Sequence, residues 1–133
     1  MTKALFTAAM TLLFANGSAF AEPVSLICEG TFYNYASTTA RSTVGPAAAT
    51  LDIENTRFET PVGTFHILRT EETSISFDEP SASLVVYGTL DRLTGVVTAS
   101  WTTLAENAKR KSLLPYKSQA YVELHCSPAK RLF

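Results

Sequence analysis

Apolar and polar residues alternate along most of this chain with a period of two, the pattern of half-buried β-strands rather than of helices. The first run puts Val24, Leu26, Cys28, Gly30 and Phe32 on one face, with Ser25, Glu29 and Thr31 on the other. Residues 34–47 are rich in Ser, Thr, Ala and Gly and end in Gly45-Pro46, so they read as a connection. Alternation resumes with Ala49, Leu51 and Ile53 inward and Thr50, Asp52 and Glu54 outward. Asn55-Thr56 reads as a tight turn into Arg57-Phe58-Glu59, after which Pro61 and Gly63 interrupt the pattern. Phe65 and Ile67 alternate with Thr64 and His66, and Ile75 pairs with Phe77 beyond a turn at Glu71-Glu72.

The segment from Ser83 to Thr103 fixes its own register. Two alternating runs flank Asp91-Arg92-Leu93-Thr94-Gly95. A four-residue loop, Arg92 to Gly95, built on a type I turn with Gly95 left-handed, sets Asp91 opposite Val96. Leu90 then faces Val97, Gly88 faces Ala99 and Val86 faces Trp101, whereas a three-residue loop destroys this match of core faces. Gly88 and Ala99 leave a shallow gap on the core side, to be filled by a ring such as Phe32 or Trp101, or by a small ligand. Residues 104–117 include Lys109-Arg110-Lys111 and Leu113-Leu114-Pro115 and read as a single helical turn or a long loop. In the final run Ala120, Val122, Leu124 and Cys126 share a face, with Tyr121, Glu123 and His125 on the other.

The beginning of the chain obeys different rules. Lys3, the apolar stretch Ala4–Ala15 and the small-residue site Ala19-Phe20-Ala21 have the three parts of a secretory signal, with cleavage expected after Ala21. The stretch is too short for a membrane span of about 20 residues, and no later segment comes closer. Residues 22–133 form one domain in this reading, with ten Lys and Arg against twelve Asp and Glu. That balance disfavours a nucleic-acid binder, and two histidines with two cysteines leave little for a metal cluster or a cofactor. Ser and Thr make up 26 of the 112 residues, which suits strands better than helices.

Export changes the meaning of the cysteines. In an oxidising compartment Cys28 and Cys126 are expected to form the one disulfide open to them. Closing a loop of roughly 100 residues removes about 4.7 kcal/mol of unfolded-state freedom on the entropy model. A reactive thiol pair would need a Cys-x-x-Cys spacing or a neighbouring cation, and a lipid-modified Cys28 would need a small residue where Ile27 stands. Both cysteines fall on core faces of the first and last strands. The expected fold is therefore all-β: a small antiparallel barrel or curved sandwich of about seven to eight strands, its first and last strands joined by the disulfide. The barrel is favoured because the ends are tethered and closure protects strand edges.

Three strings carry a resemblance. They are Leu26-Ile27-Cys28-Glu29-Gly30, the hairpin Gly88-Thr89-Leu90-Asp91-Arg92-Leu93-Thr94-Gly95, and the tail Cys126-Ser127-Pro128-Ala129-Lys130-Arg131-Leu132-Phe133. Together they resemble small exported bacterial proteins of unknown function, and they imply a periplasmic or secreted location without implying an activity. The expected architecture is also similar to that of periplasmic inhibitors of C-type lysozyme, small exported barrels with a disulfide between early and late strands. That family uses a Ser-Gly-x-x-Tyr-type segment, and the nearest string here, Tyr87-Gly88-Thr89, lacks the serine.

Catalytic patterns are sparse. Gly-x-Ser-x-Gly is absent, and any hydrolytic triad must draw its base from His66 or His125, both on polar strand faces. The acid pairs Glu71-Glu72 and Asp78-Glu79 are adjacent in sequence and so point apart on a strand. The basic cluster Lys109, Arg110 and Lys111, with Lys117 nearby, is a candidate surface contact for an envelope protein or glycan, although a solvated loop explains it as well. Lys130-Arg131-Leu132-Phe133 is either a cap over the barrel end or a tail read by a partner. The expectation is a non-catalytic binding module for a small apolar ligand or an envelope component, with an inhibitor of a cell-wall-degrading enzyme as the alternative.

Overall fold

The computed structural model describes residues 22–36, 40–80 and 83–130. The signal sequence expected at 1–21 and the tail Arg131-Leu132-Phe133 lie outside the described residues. Eight antiparallel strands close into a barrel in sequence order: β1 (Val24–Asn34), β2 (Ala40–Asp52), β3 (Arg57–Thr60), β4 (Gly63–Thr70), β5 (Ser74–Pro80), β6 (Leu84–Asp91), β7 (Val96–Thr103) and β8 (Ala120–Pro128). Among the described residues one helix, α1 (Leu104–Lys111), lies between β7 and β8. No helix among the described residues is long and apolar enough to cross a membrane.

The alternating sets read from the sequence are the interior. Leu26, Cys28, Leu51, Phe58, Phe65, Ile67, Ile75, Phe77, Leu90, Val97, Val122 and Leu124 are buried together, with Phe32 and Trp101 packed against them. The β6–β7 hairpin has the expected register, with Val86 opposite Trp101, Gly88 opposite Ala99 and Leu90 opposite Val97. Gly95 is left-handed at φ 77°, its N–H donates to the Asp91 carbonyl at 2.8 Å, and a Cβ there would collide with the Cys126 carbonyl oxygen.

Closure rests on β1 and β8, which pair from Leu26 opposite Pro128 to Asn34 opposite Ala120. Cys28 and Cys126 face each other in that ladder with Cα atoms 4.1 Å apart and form the disulfide. The Cys126 N–H donates to the carbonyl of Gly95, the loop residue just before β7, so the cysteines occupy a non-hydrogen-bonded site of the β1–β8 ladder, where facing side chains stand closest.

Three expectations need correction. The stretch 34–47 is not simply a connection, because 40–47 belong to β2 and extend its pairing with β1 as far as Ala40 opposite Asn34. Small residues hide the strand from hydropathy, and one bulge shifts its phase. Cys28 faces Ala47 and Gly30 faces Val44, leaving Glu29 against Gly45 and Pro46, whose peptide bond is cis. The gap at Gly88 is filled by neither Phe32 nor Trp101. Phe77, opposite Gly88 on β5, lies so close that an added Cβ would stand 2.6 Å from its ring.

The third correction concerns 104–117, where α1 runs for two turns. Thr103 caps it by accepting from Glu106 N–H at 3.2 Å, and Thr103-Leu104-Ala105-Glu106 is the capping-box spacing that the sequence displays. Basic residues in the last turn complement the helix dipole. The helix ends by donating Leu113 N–H to Arg110 and Leu114 N–H to Lys109, a Schellman arrangement with Leu113 left-handed at φ 59°. It packs on the outside of β6 and β7, where the outward residues Val85 and Thr102 are buried and Thr102 donates to the Val85 carbonyl.

Candidate functional site

The middle of the barrel is solid. Phe77 packs edge-on against Phe58 at 5.5 Å and stacks on Phe65 at 4.9 Å, and Phe65 in turn meets Trp101 at 6.3 Å. Phe32 closes the same end through an edge contact with Trp101 at 5.3 Å. This ring end keeps only a cleft of about 250 Å³, lined by Phe32, Leu84, Trp101 and Ala120 among others.

The opposite end is open. A cleft of about 450 Å³ has Leu26, Leu51, Leu90 and the Cys126 side of the disulfide along its base, with Asp91–Gly95 and Ser127-Pro128 at its rim. This volume falls in the usual range for small-molecule sites. The rim is held by its own hydrogen bonds. One Asp91 carboxylate oxygen accepts from Leu93 N–H at 2.9 Å and Thr94 N–H at 3.1 Å. Those backbone donors, Thr94 first, hold the Asp91 carboxyl below its ordinary value against a small opposing effect of burial. Arg92 fastens the loop to the β4–β5 turn, donating Nη1 to the Glu71 carbonyl at 2.7 Å and its N–H to Thr73 at 2.8 Å. Leu93 stands free at the lip, 78% exposed.

The sequence placed no site residue at this end apart from the disulfide. Its signal was present in the Asp91–Gly95 loop, which has a full structural explanation and so drew no functional reading.

The basic cluster does not form one free patch. Lys109 pairs with Glu106 at 3.0 Å. Arg110 donates Nε to Asn107 Oδ1 at 3.0 Å and lies 3.9 Å over the Tyr87 ring; it is half-buried, while Lys109 and Lys111 are exposed. His66 and His125 are exposed on the outer surface, as their strand faces implied. His125 Nε2 is 3.6 Å from Glu123 Oε1, while His66 lies across from Arg57 and Asp78. Glu71-Glu72 is in a turn and Asp78-Glu79 is at the end of β5. Among the described residues no group of three or more His, Cys, Asp and Glu is placed to hold a metal ion. Tyr87-Gly88-Thr89 runs through the middle of β6 and not through a protruding loop.

These features define a small closed antiparallel barrel stapled at its seam, with one end filled by rings and the other an apolar, rigid-lipped cleft. Comparison with known proteins finds no match, whether to a family model, a curated protein or a solved structure.

Proposed function

We propose that this chain is an exported, non-catalytic binding barrel that takes a small apolar ligand at its open end. The observation that carries the reading is the cleft itself. Three leucines form its base, and its rim is locked by Asp91 and Arg92 before any ligand arrives. A preformed apolar site avoids the entropy cost of ordering a loop on binding. The filled middle of the barrel sets the ligand's depth. It enters by an apolar end, an acyl terminus or a compact ring, and leaves its polar part at the lip.

The location belongs to the same proposal. The signal-like segment ending at Ala21, the resemblance to small exported bacterial proteins and a disulfide between the terminal strands all support a periplasmic or secreted protein processed to begin at Glu22. Mass spectrometry of the protein recovered from a bacterial host's periplasm or medium is expected to show that start and no free thiol. A full-length chain retained in the cytoplasm overturns the location.

Binding is tested by titrating the purified protein with N-phenyl-1-naphthylamine, an uncharged apolar fluorophore. Enhancement saturating in the micromolar range is expected, with competition by medium-chain fatty acids. Leu93→Asp places a carboxylate on an exposed lip position and is expected to weaken binding about tenfold while leaving the thermal midpoint within a few degrees. An absence of saturable enhancement, or equal binding by the variant, overturns the reading.

A further inference from the structure

All five tyrosines of the chain gather on one outer face of the barrel, although they come from β1, β6, β8 and two connecting segments. Strand pairing sets Tyr33 across from Tyr121, Tyr121 across from Ser100, and Ser100 across from Tyr87, so a single outward row crosses four strands. Tyr35 stacks on Tyr33 with ring planes 8° apart and centroids 6.3 Å apart, and Tyr121 tilts against Tyr33 at 6.1 Å. Arg41 lies 5.5 Å from the Tyr33 ring and Arg110 lies 3.9 Å from the Tyr87 ring.

The row is interrupted at Ser100, and a slot of about 160 Å³ opens there. Tyr87 and Tyr121 line it from the two neighbouring strands, Tyr116 joins them from the segment after α1, and Thr89, Thr98 and Ser100 contribute hydroxyls. Tyr116 is positioned, since Glu106 Oε2 accepts from the adjacent Lys117 N–H at 3.0 Å. Two strand spacings put the Tyr87 and Tyr121 backbones roughly 10 Å apart. A six-membered ring touching aromatic walls on both sides needs about 8 Å, twice a carbon–carbon contact distance.

We infer that this tyrosine slot is a second binding site, independent of the open end, and that its occupant is an uncharged pyranose ring within a glycan chain. The residues lining the slot carry no carboxylate, ammonium or guanidinium group, and Arg110, over the Tyr87 ring, already donates to Asn107 Oδ1, so a charged occupant would lose hydration with little to replace it. The Thr89 and Thr98 hydroxyls already share a hydrogen bond at 3.4 Å, and a flat aromatic group would satisfy the walls but strip water from Ser100 and from the remaining capacity of that pair without replacing it. A sugar ring meets both demands, with C–H faces toward the tyrosines and hydroxyls at its edges. The stacked pair Tyr33 and Tyr35 continues the row beyond Tyr121 and supplies a platform for the next sugar residue. The rings are already braced by one another and by the two arginines, so little ordering remains to be done on binding.

The test is titration of the isotopically labelled protein with a tetramer of β-linked N-acetylglucosamine, a tetramer of β-linked glucose, and a tetramer of galacturonic acid as the charged control, followed by NMR. Saturable shifts centred on Ser100, Tyr121 and Tyr116 with at least one neutral tetramer, and weaker ones with the acidic control, are expected. Tyr116→Ala removes a 42%-exposed side chain outside the strands, and Ser100→Leu fills the slot from its floor. Each is expected to weaken sugar binding about fivefold or more, with N-phenyl-1-naphthylamine binding at the open end unchanged. Shifts absent at millimolar sugar, tighter binding of the acidic tetramer, or variants that bind as the parent does each overturn the inference. Should Ser100→Leu misfold, Tyr116→Ala decides the matter alone.

Discussion

The two ends of the barrel are built from different materials. At the ring end Phe32, Trp101 and Phe65 fill the lumen and α1 braces the outside, so order there comes from packing. At the open end the lumen is lined by Leu26, Leu51 and Leu90, and order comes from a covalent seam and from polar fastenings by Asp91 and Arg92. A barrel that leaves one mouth open gives up contacts there. It must obtain stiffness from devices that occupy no volume, which a disulfide and a self-capped loop supply.

The largest expected effect breaks the covalent half of that contrast. Replacing Cys28 and Cys126 together by Ala removes a link between residues 98 apart in sequence, and the chain-entropy estimate for such a loop is about 4.7 kcal/mol. Chemical denaturation is expected to show a loss of about this size. Hydrogen exchange in the surviving fold is expected to speed up at Leu26 and Leu124 more than at Trp101. Equal acceleration at the two ends would mean that the seam serves the whole barrel and not its mouth.

The complementary variant strikes the ring end. Trp101→Ala removes the indole that contacts both Phe32 and Phe65, and large-to-small changes at such sites cost about 3 kcal/mol or somewhat more. Trp101 is only partly buried, which puts the expectation at the low end of that range. Ligand binding at the open end is expected to survive, measured with the same naphthylamine probe below the unfolding temperature. Loss of probe binding at unchanged fold would show the two ends to be coupled.

The sequence exposed one end more clearly than the other. The β6–β7 hairpin was legible down to its register because two alternating runs and one left-handed glycine admit a single match, and the cysteines on matching core faces named the seam. The ring end was less legible for three physical reasons. Apart from Arg41 and Val44, residues 40–47 are small, and most are exposed, so their strand has no hydropathy period and is specified by its partner β1. The first turn of α1 was readable from its capping box, yet the run of three basic residues that follows resembles a solvated loop. The tyrosine face was invisible because alternation only says that Tyr33, Tyr87 and Tyr121 point outward, and the pairings of β6, β7, β8 and β1 decide that they meet.

A smaller effect, of opposite sign, sharpens the picture of the ring end. Leu113 holds a left-handed conformation at the end of α1 with its side chain 94% exposed, so it contributes strain and little packing. Leu113→Gly relieves the strain and keeps the two closing backbone hydrogen bonds, and a gain of about 0.5–1 kcal/mol is expected by denaturant titration. A net loss would mean that the greater freedom of glycine in the unfolded chain outweighs the relief.

The smallest effect separates the two carboxylates that fasten the ends. Asp91 is held below its ordinary value of 3.8 chiefly by Thr94 and Leu93 N–H within its own loop. Glu106 is held below 4.5 chiefly by Lys117 N–H, from a segment 11 residues away, and next by Lys109. Because both folded values are depressed, each contribution is fully present above the ordinary value and is lost as pH falls through the folded one. Asp91 is solvent-exposed and Glu106 half-buried beside Lys109, and the overall change in stability is expected to be slight, so the signal lies in local motion. The Lys117 amide is expected to lose protection as Glu106 protonates, and Tyr116 to loosen with it, because that hydrogen bond ties a connecting segment to a helix. Leu93 and Thr94 sit in a loop that Arg92 also holds, so their amides are expected to keep protection to lower pH. Hydrogen exchange at matched intrinsic rates between pH 6 and pH 3 reads the difference directly. If Leu93 opens before Lys117, the open end is the softer of the two, and the view that its lip is fixed before a ligand arrives fails with it.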